Sequence, residues 1–302
     1  MDDSTHPAVL AELARELAAR WEWLRETDTL DLGTAEHAVR ARRLAIGGRL
    51  LEAGVAARGS GQAGPRVPGP CGGAAGFEGY RVKQVQPVVG WVAIRRAYDW
   101  CRECGRGHGP LDTGFGLTRD SHSPGGRRAI ARLGALLPFA QAAATLAEVA
   151  GVQTSASSAR VVTEAVGTRR EQEVAGAVAT AWCDGRPPTE VPAPARLAVA
   201  LDGVLVPGAD GAGKEAKVGV VAPEQRGPSG ELRRAARSDT ASFAPAAAFG
   251  RRLALEAHRR GLEAAAEVVV LGDGAESGAR WAMEPGGRAL PDGQVHRGLV
   301  PR

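Results

Sequence analysis

Asp202 stands inside the apolar run VALDGVLV, and Asp273 ends a second apolar run, EVVVLGD. A carboxylate within a buried strand has a large desolvation cost unless a cation meets it, and a metal ion removes that cost. Two carboxylates on neighbouring strands can hold Mg²⁺ (or Mn²⁺) in a two-metal arrangement, which stabilises the attacking and leaving oxygens of a phosphoryl displacement. Either Asp-Gly pair taken alone reads as a turn. Together, on strands in the order set out below, they are expected to be metal ligands and catalytic groups.

A second set of chemistry-bearing residues is Cys71, Cys101 and Cys104, a C-G-G followed by C-x-x-C-G on a β-rich stretch. Thiolates on two such knuckles bind Zn²⁺ in zinc ribbons, but a structural site needs four ligands. His108 is the remaining candidate and lies beyond the usual knuckle spacing. Buried thiols with no metal are the alternative, and Cys183, far off on a helix end, reads as a core residue. The third set is basic. Arg127, Arg128, Arg132, Arg160, Arg169 and Arg170 surround a helical stretch in which Glu148 and Glu164 are the only carboxylates between Gly125 and Arg170. Contact with DNA phosphates is the expected use, against an ordinary three-helix unit with solvated arginines. A fourth motif, GADGAGK from Gly208 to Lys214, has the first seven positions of a phosphate-binding loop. Glu215 stands where Ser or Thr should reach Mg²⁺, and the loop leads into a strand, so it reads as a hairpin turn.

The elements that must position these groups follow from pattern. Residues 1–58 carry apolar positions three and four apart (Leu10, Leu13, Leu17, then Leu44, Leu50, Leu51) and read as amphipathic helices, broken at Gly33 and Thr34. Residues 59–70, Gly/Pro-rich and aperiodic, read as a linker. Residues 71–123 read as a small zinc-ribbon-like β module, and 124–189 as a helix-turn-helix region. Its helices end near Leu137, run from Phe139 to Ala150, turn at Gly151 and resume with a Ser155 or Ser157 cap. From 190 onward the order is β-β-β-α-β: LAVALDGVLV, EAKVGVVA, a weaker strand in RRAARSDTASF, a helix from Pro245 to Gly261, and EVVVLGD. That order allows the first and fourth strands to lie side by side. The fold class is thus α+β and multidomain, as the 302-residue length also suggests, since single cores stop growing near this size.

Bulk composition adds little. Lys+Arg 38 against Asp+Glu 34 permits nucleic-acid contact without requiring it. The N-terminus has no basic n-region and apolar run, and the longest apolar stretch is broken by Arg132, Pro138, Gln141 and Glu148, so neither a secretory signal nor a membrane span is expected. A cytoplasmic protein is the reading, in which disulfides between the four cysteines are not expected.

The strings CGG(x)GFEGY, VxIRRAYxWCxxCGRGHGPLD, LPFxxAAxxLxxxAGV, VTEAVG, LDGVLVP, EAKVG and VVVLGDGAE, in this order, resemble the ISKra-type (Kra-four) insertion-sequence transposases. The resemblance runs from the N-terminal helices to about Glu276. It implies a DDE enzyme with an RNase H-like core, with Asp202 the first acid and Asp273 the second. It also implies DNA as partner, both element ends and target, and leaves a homo-oligomer open. The family usually has C-P-C-G-G where this chain has Gly69-Pro70-Cys71-Gly72-Gly73, so Gly69 replaces a cysteine.

Residues 277–302 show no helical or strand period and do not continue the family pattern. Back-translated from Trp281 and read one nucleotide later, they can encode GPWSLAAEHFPTGRCIVDWYHA, which does continue it. A frameshift between about Glu276 and Trp281 is therefore expected, making 190–276 a partial RNase H-like domain without its third acid, a Glu on a later helix. Two functions compete on this reading: a transposase that cuts and joins DNA, and a DNA-binding remnant or regulatory product without chemistry. A zinc-binding DNA regulator unrelated to transposition is the third.

Overall fold

The structure is a computed structural model that describes residues 5–183, 193–208, 211–235, 237–272 and 295–299; for 5, 6, 182, 183 and 295–299 it describes the backbone alone. The chain is α+β and divides into two compact units, Met1–Thr168 and Arg169–Arg302.

The first unit begins with two helices, α1 (Thr5–Glu26) and α2 (Leu32–Ala56). The break between them falls before Asp31 and not at Gly33-Thr34. Asp31 caps α2, its Oδ1 accepting from the Thr34 amide at 3.0 Å, so glycine and threonine are absorbed into the first turn. Arg49 with Glu12 at 2.8 Å and Arg42 with Glu16 at 3.2 Å join the two helices.

A four-stranded antiparallel sheet follows, in the order β1 (Arg66–Pro68), β2 (Ala74–Val85), β3 (Val92–Cys101), β4 (Arg106–His108). Part of the segment expected to be a linker is therefore strand β1, because Arg66–Pro68 meets the open edge of β2. A three-residue edge strand needs no hydrophobic period of its own. α2 covers one end of the sheet, where Val55 packs with Val85, Val92 and Ile94. Close approach is permitted at Gly48, where a Cβ would lie 2.7 Å from the Trp91 carbonyl.

After the short helix α3 (Pro110–Gly114), three helical segments share a core of Ile130, Leu146, Val152, Ala159 and Val162. They are α4 (Pro124–Gly134), α5 (Phe139–Thr145) continued by a π-helical turn at Leu146–Ala150, and α6 (Ala156–Cys183). Gly151, at φ 69°, makes the turn, and a Cβ there would run into Leu44 of α2. The Ser155 hydroxyl accepts from the Ser158 amide at 3.0 Å at the start of α6.

In the second unit β5 (Arg196–Pro207) pairs antiparallel with β6 (Gly213–Arg226). β6 also pairs with β7 (Leu232–Arg234) and β8 (Ser238–Ser242). The helix α7 (Ala246–Arg259) crosses back, and β9 (Val268–Gly272) lies parallel to β5, with Leu197 opposite Val268 and Ala200 opposite Leu271. The tail is not wholly without structure, since β10 (Val295–Leu299) pairs parallel with β9. Backbone pairing along a free strand edge does not require an apolar alternation, which is why no period announces it. Pro207 pairs with Gly213 at the end of the β5–β6 hairpin, so Gly213 and Lys214 of the phosphate-loop-like motif lie in a strand.

One face of this sheet is closed by α7. Leu197, Val199, Val221, Val268 and Val270 meet Phe249, Leu253, Ala254 and Ala257. Leu253 is fully buried and lies against Gly219, where a Cβ would come within 2.7 Å of it. Leu253→Ala is expected to destabilise the second unit by about 2–5 kcal/mol, read as a lower urea midpoint. An unchanged midpoint would show that this core does not hold the unit together.

Candidate functional site

The thiol site is assembled by two turns. Cys71 sits in the turn joining β1 to β2, closed by hydrogen bonds from Gly69 N to Gly73 O at 2.6 Å and from Gly72 N to Gly69 O at 3.0 Å. Cys101 ends β3, and Cys104 lies in the turn to β4, where Gly105 adopts φ 62°. Because Ala75 pairs with Cys101, the two turns are brought together at one end of the sheet.

The three ligand sulfurs all lie within 4.8 Å of one another, with Cys71 Sγ and Cys101 Sγ 3.5 Å apart. Thiolates around one tetrahedral Zn²⁺ at about 2.3 Å stand roughly 3.8 Å from each other, so the spacing suits a single ion. Cys101 is buried, Cys104 half-buried and Cys71 exposed. The Cys104 amide, hydrogen-bonded to the Cys101 sulfur, draws that thiol's pKa below its usual value, while burial pushes the Cys104 thiol up. Of the two, Cys101 is thereby the easier to deprotonate.

His108 does not complete the set. It lies on β4 opposite Asp99 and outside the thiol cluster. Its Nδ1 and the Asp99 Oδ2 are both buried without a hydrogen-bond partner. Gly69 also lies beside the cluster, where a Cβ would stand 3.1 Å from the Cys101 sulfur. The spacing of the chain gives no signal of this, since it depends on how the first turn folds onto the second.

The carboxylate pair is described only in part. Asp273 lies outside the described residues. Asp202 is exposed, and its Oδ1 accepts from the Gly203 amide at 2.8 Å. The desolvation expected of it is therefore absent, and the reason is geometric. Phe249 and Leu253 reach Gly219, the partner of Leu201. Beyond that level β5 and β6 run on with no described helix across them, which leaves Val204, Leu205 and Val206 exposed as well. Among the described residues Asp202 belongs to no cluster of three or more potential metal ligands.

The arginines also differ from one another. Arg127 is half-buried and held by Asp120 and by Thr118 Oγ1 at 3.1 Å, so it braces the start of α4 and is not free to meet a phosphate. Arg128 and Arg160 are exposed, Arg160 pairing with Glu164 at 3.1 Å along α6. An exposed pair of this kind contributes little and exchanges readily. Arg169 and Arg170 are exposed in the second unit, Arg170 at 3.4 Å from Glu173. Among the described residues no helix is long and apolar enough to cross a membrane.

No family model and no curated protein matches this sequence. The resemblance to insertion-sequence transposases accordingly rests on the motif strings themselves.

Proposed function

We propose that this chain is an insertion-sequence protein of the DDE transposase type that binds DNA and, in its 302 residues, carries two of the three carboxylates of the catalytic set. One observation carries the proposal. The strand bearing Asp202 lies parallel to and beside β9, and the register pairing Leu197 with Val268 and Ala200 with Leu271 has the same sequence offset as Asp202 and Asp273. Three antiparallel strands, a crossover helix and a strand returning beside the first are also what an RNase H-like core requires. Asp202 and Asp273 would hold Mg²⁺ or Mn²⁺, which when bound supplies charge stabilisation to a phosphoryl displacement. Asp202 is accessible to such an ion and to a DNA strand because the end of β5 is open. The thiol module would hold Zn²⁺ in a structural role, with three protein ligands in place of four.

The alternative is a reading without chemistry. On that reading the chain occupies DNA and cuts nothing. Both readings require duplex binding driven by attraction to phosphates, with Arg128 and Arg160 among the exposed cations of the helical segment. In a salt titration of the full chain on duplex DNA, changing both to glutamine should lower the slope of log K against log[salt] by about 0.9 for each phosphate that is no longer neutralised. Binding that is insensitive to salt, or a slope the double variant leaves unchanged, removes DNA from this surface.

A further inference from the structure

The end of the first sheet that carries the thiol turns also carries an arrangement that none of the motifs above assigns. Arg96, Tyr98 and Trp100 alternate with the opposite face of β3, and Trp100 is 38% exposed. The residues facing these rings across the strands are glycines. Gly76 on β2 and Gly107 on β4 both pair with Trp100, and Gly79 pairs with Tyr98. A Cβ placed at Gly76 or Gly79 meets no atom within 4 Å, whereas one at Gly107 would collide with the Tyr98 ring, which lies over that position. The rings thus stand on a floor of bare backbone with open space beside them.

Cations border that space. The Arg81 guanidinium sits 3.4 Å from the Tyr98 ring centroid, and Arg81, Tyr98, Trp100, Arg102 and Glu78 line a shallow cavity of about 320 Å³. Arg81 and Arg102 are exposed. The charge around it is net positive, Glu78 in the lining notwithstanding: between Arg66 and His108 there are seven Lys/Arg residues against three Asp/Glu. An open slot beside the exposed Trp100 ring, edged by arginines in a net-basic module, suits a ligand with flat apolar faces joined by anions.

We infer that this glycine-floored face is a base-stacking platform for single-stranded nucleic acid, with Trp100 receiving a base beside the Arg81-covered Tyr98 ring and with Arg81 and Arg102 receiving the flanking phosphates. A duplex cannot use it, because its bases are already stacked on one another and only their edges are offered. The inference does not rest on the transposase reading, and it holds for any protein that meets an unpaired strand.

Gly76→Val gives the sharpest test, since it fills the slot with a β-branched side chain suited to a strand and leaves every charge in place. With the full chain and a fluorescent 20-mer of thymidylate, Gly76→Val and Trp100→Ala should each weaken binding by about 5- to 150-fold, the range associated with losing one stacked base, while Trp100→Phe retains most of it. Arg81→Ala combined with Arg102→Ala should lower the salt slope by about 0.7 for each phosphate that is no longer neutralised. Duplex binding should be unaffected by Gly76→Val. In the unaltered chain, photo-crosslinking of a 5-bromouracil oligonucleotide should map to Tyr98 or Trp100, a readout that needs no variant to fold. Crosslinks elsewhere alone, normal 20-mer binding by Gly76→Val, or adenosine monophosphate binding as tightly as the 20-mer would each overturn the platform.

Discussion

Gly69→Cys is expected to tighten zinc binding by about two orders of magnitude. A structural Zn²⁺ with four protein ligands is held by roughly 10–16 kcal/mol near neutral pH, so one ligand contributes on the order of 3 kcal/mol, close to a factor of 100. The backbone already points that way, with position 69 directed at the Cys101 sulfur. A Cβ at 3.0–3.1 Å from Cys101 requires the turn to open by a few tenths of an ångström, which the hairpin tip from Gly69 to Gly73 can supply.

The unaltered chain should take up zinc below stoichiometry or lose it readily to a chelator. The variant should hold one ion per chain. Competition against a chromophoric chelator measures both, and His108→Ala should change neither. Tight stoichiometric zinc in the unaltered chain would show that another ligand has been overlooked.

The largest effect is expected at Asp202. On the proposed function, the 302-residue chain should bind DNA without cutting it, and restoring the reading frame between about Glu276 and Trp281 together with its downstream coding should bring metal-dependent cleavage. Asp202→Ala in that extended protein should then reduce cleavage by several orders of magnitude, because the ion that stabilises the reacting oxygens loses a ligand. Salt-dependent binding should persist in the same variant, since Asp202 makes no part of the cationic surface. The decisive measurement is strand transfer of a labelled element end with Mg²⁺ or Mn²⁺. Transfer that survives Asp202→Ala would detach Asp202 from the chemistry. Transfer by the unextended chain, lost in Asp202→Ala, would show that no third carboxylate beyond these residues is needed.

Much of this protein's local structure is determined by its sequence alone. The alternation in VALDGVLV and EAKVGVVA corresponds to β5 and β6, and the Pro and Gly around residues 245–261 bracket α7. Gly151 turns the chain between α5 with its π-helical end and α6 as its lack of a side chain requires. These features depend on residues close in sequence, where propensity and period act directly. The closeness of Cys101 and Cys104 belongs to the same class.

What only the tertiary structure decided depends on register between strands far apart in the chain. Asp202 looks buried by its neighbours, yet it is exposed, because burial is set by where α7 stops. Arg127 looks free and is held by Asp120. That Gly69 stands beside the Cys101 sulfur is likewise a fact of two turns meeting. The glycines at 76, 79 and 107 read singly as ordinary strand irregularities. Only the pairing of β2, β3 and β4 sets them beside Trp100 and Tyr98, and a residue's cross-strand neighbour is fixed by hydrogen-bond register over the whole sheet, which no local window contains.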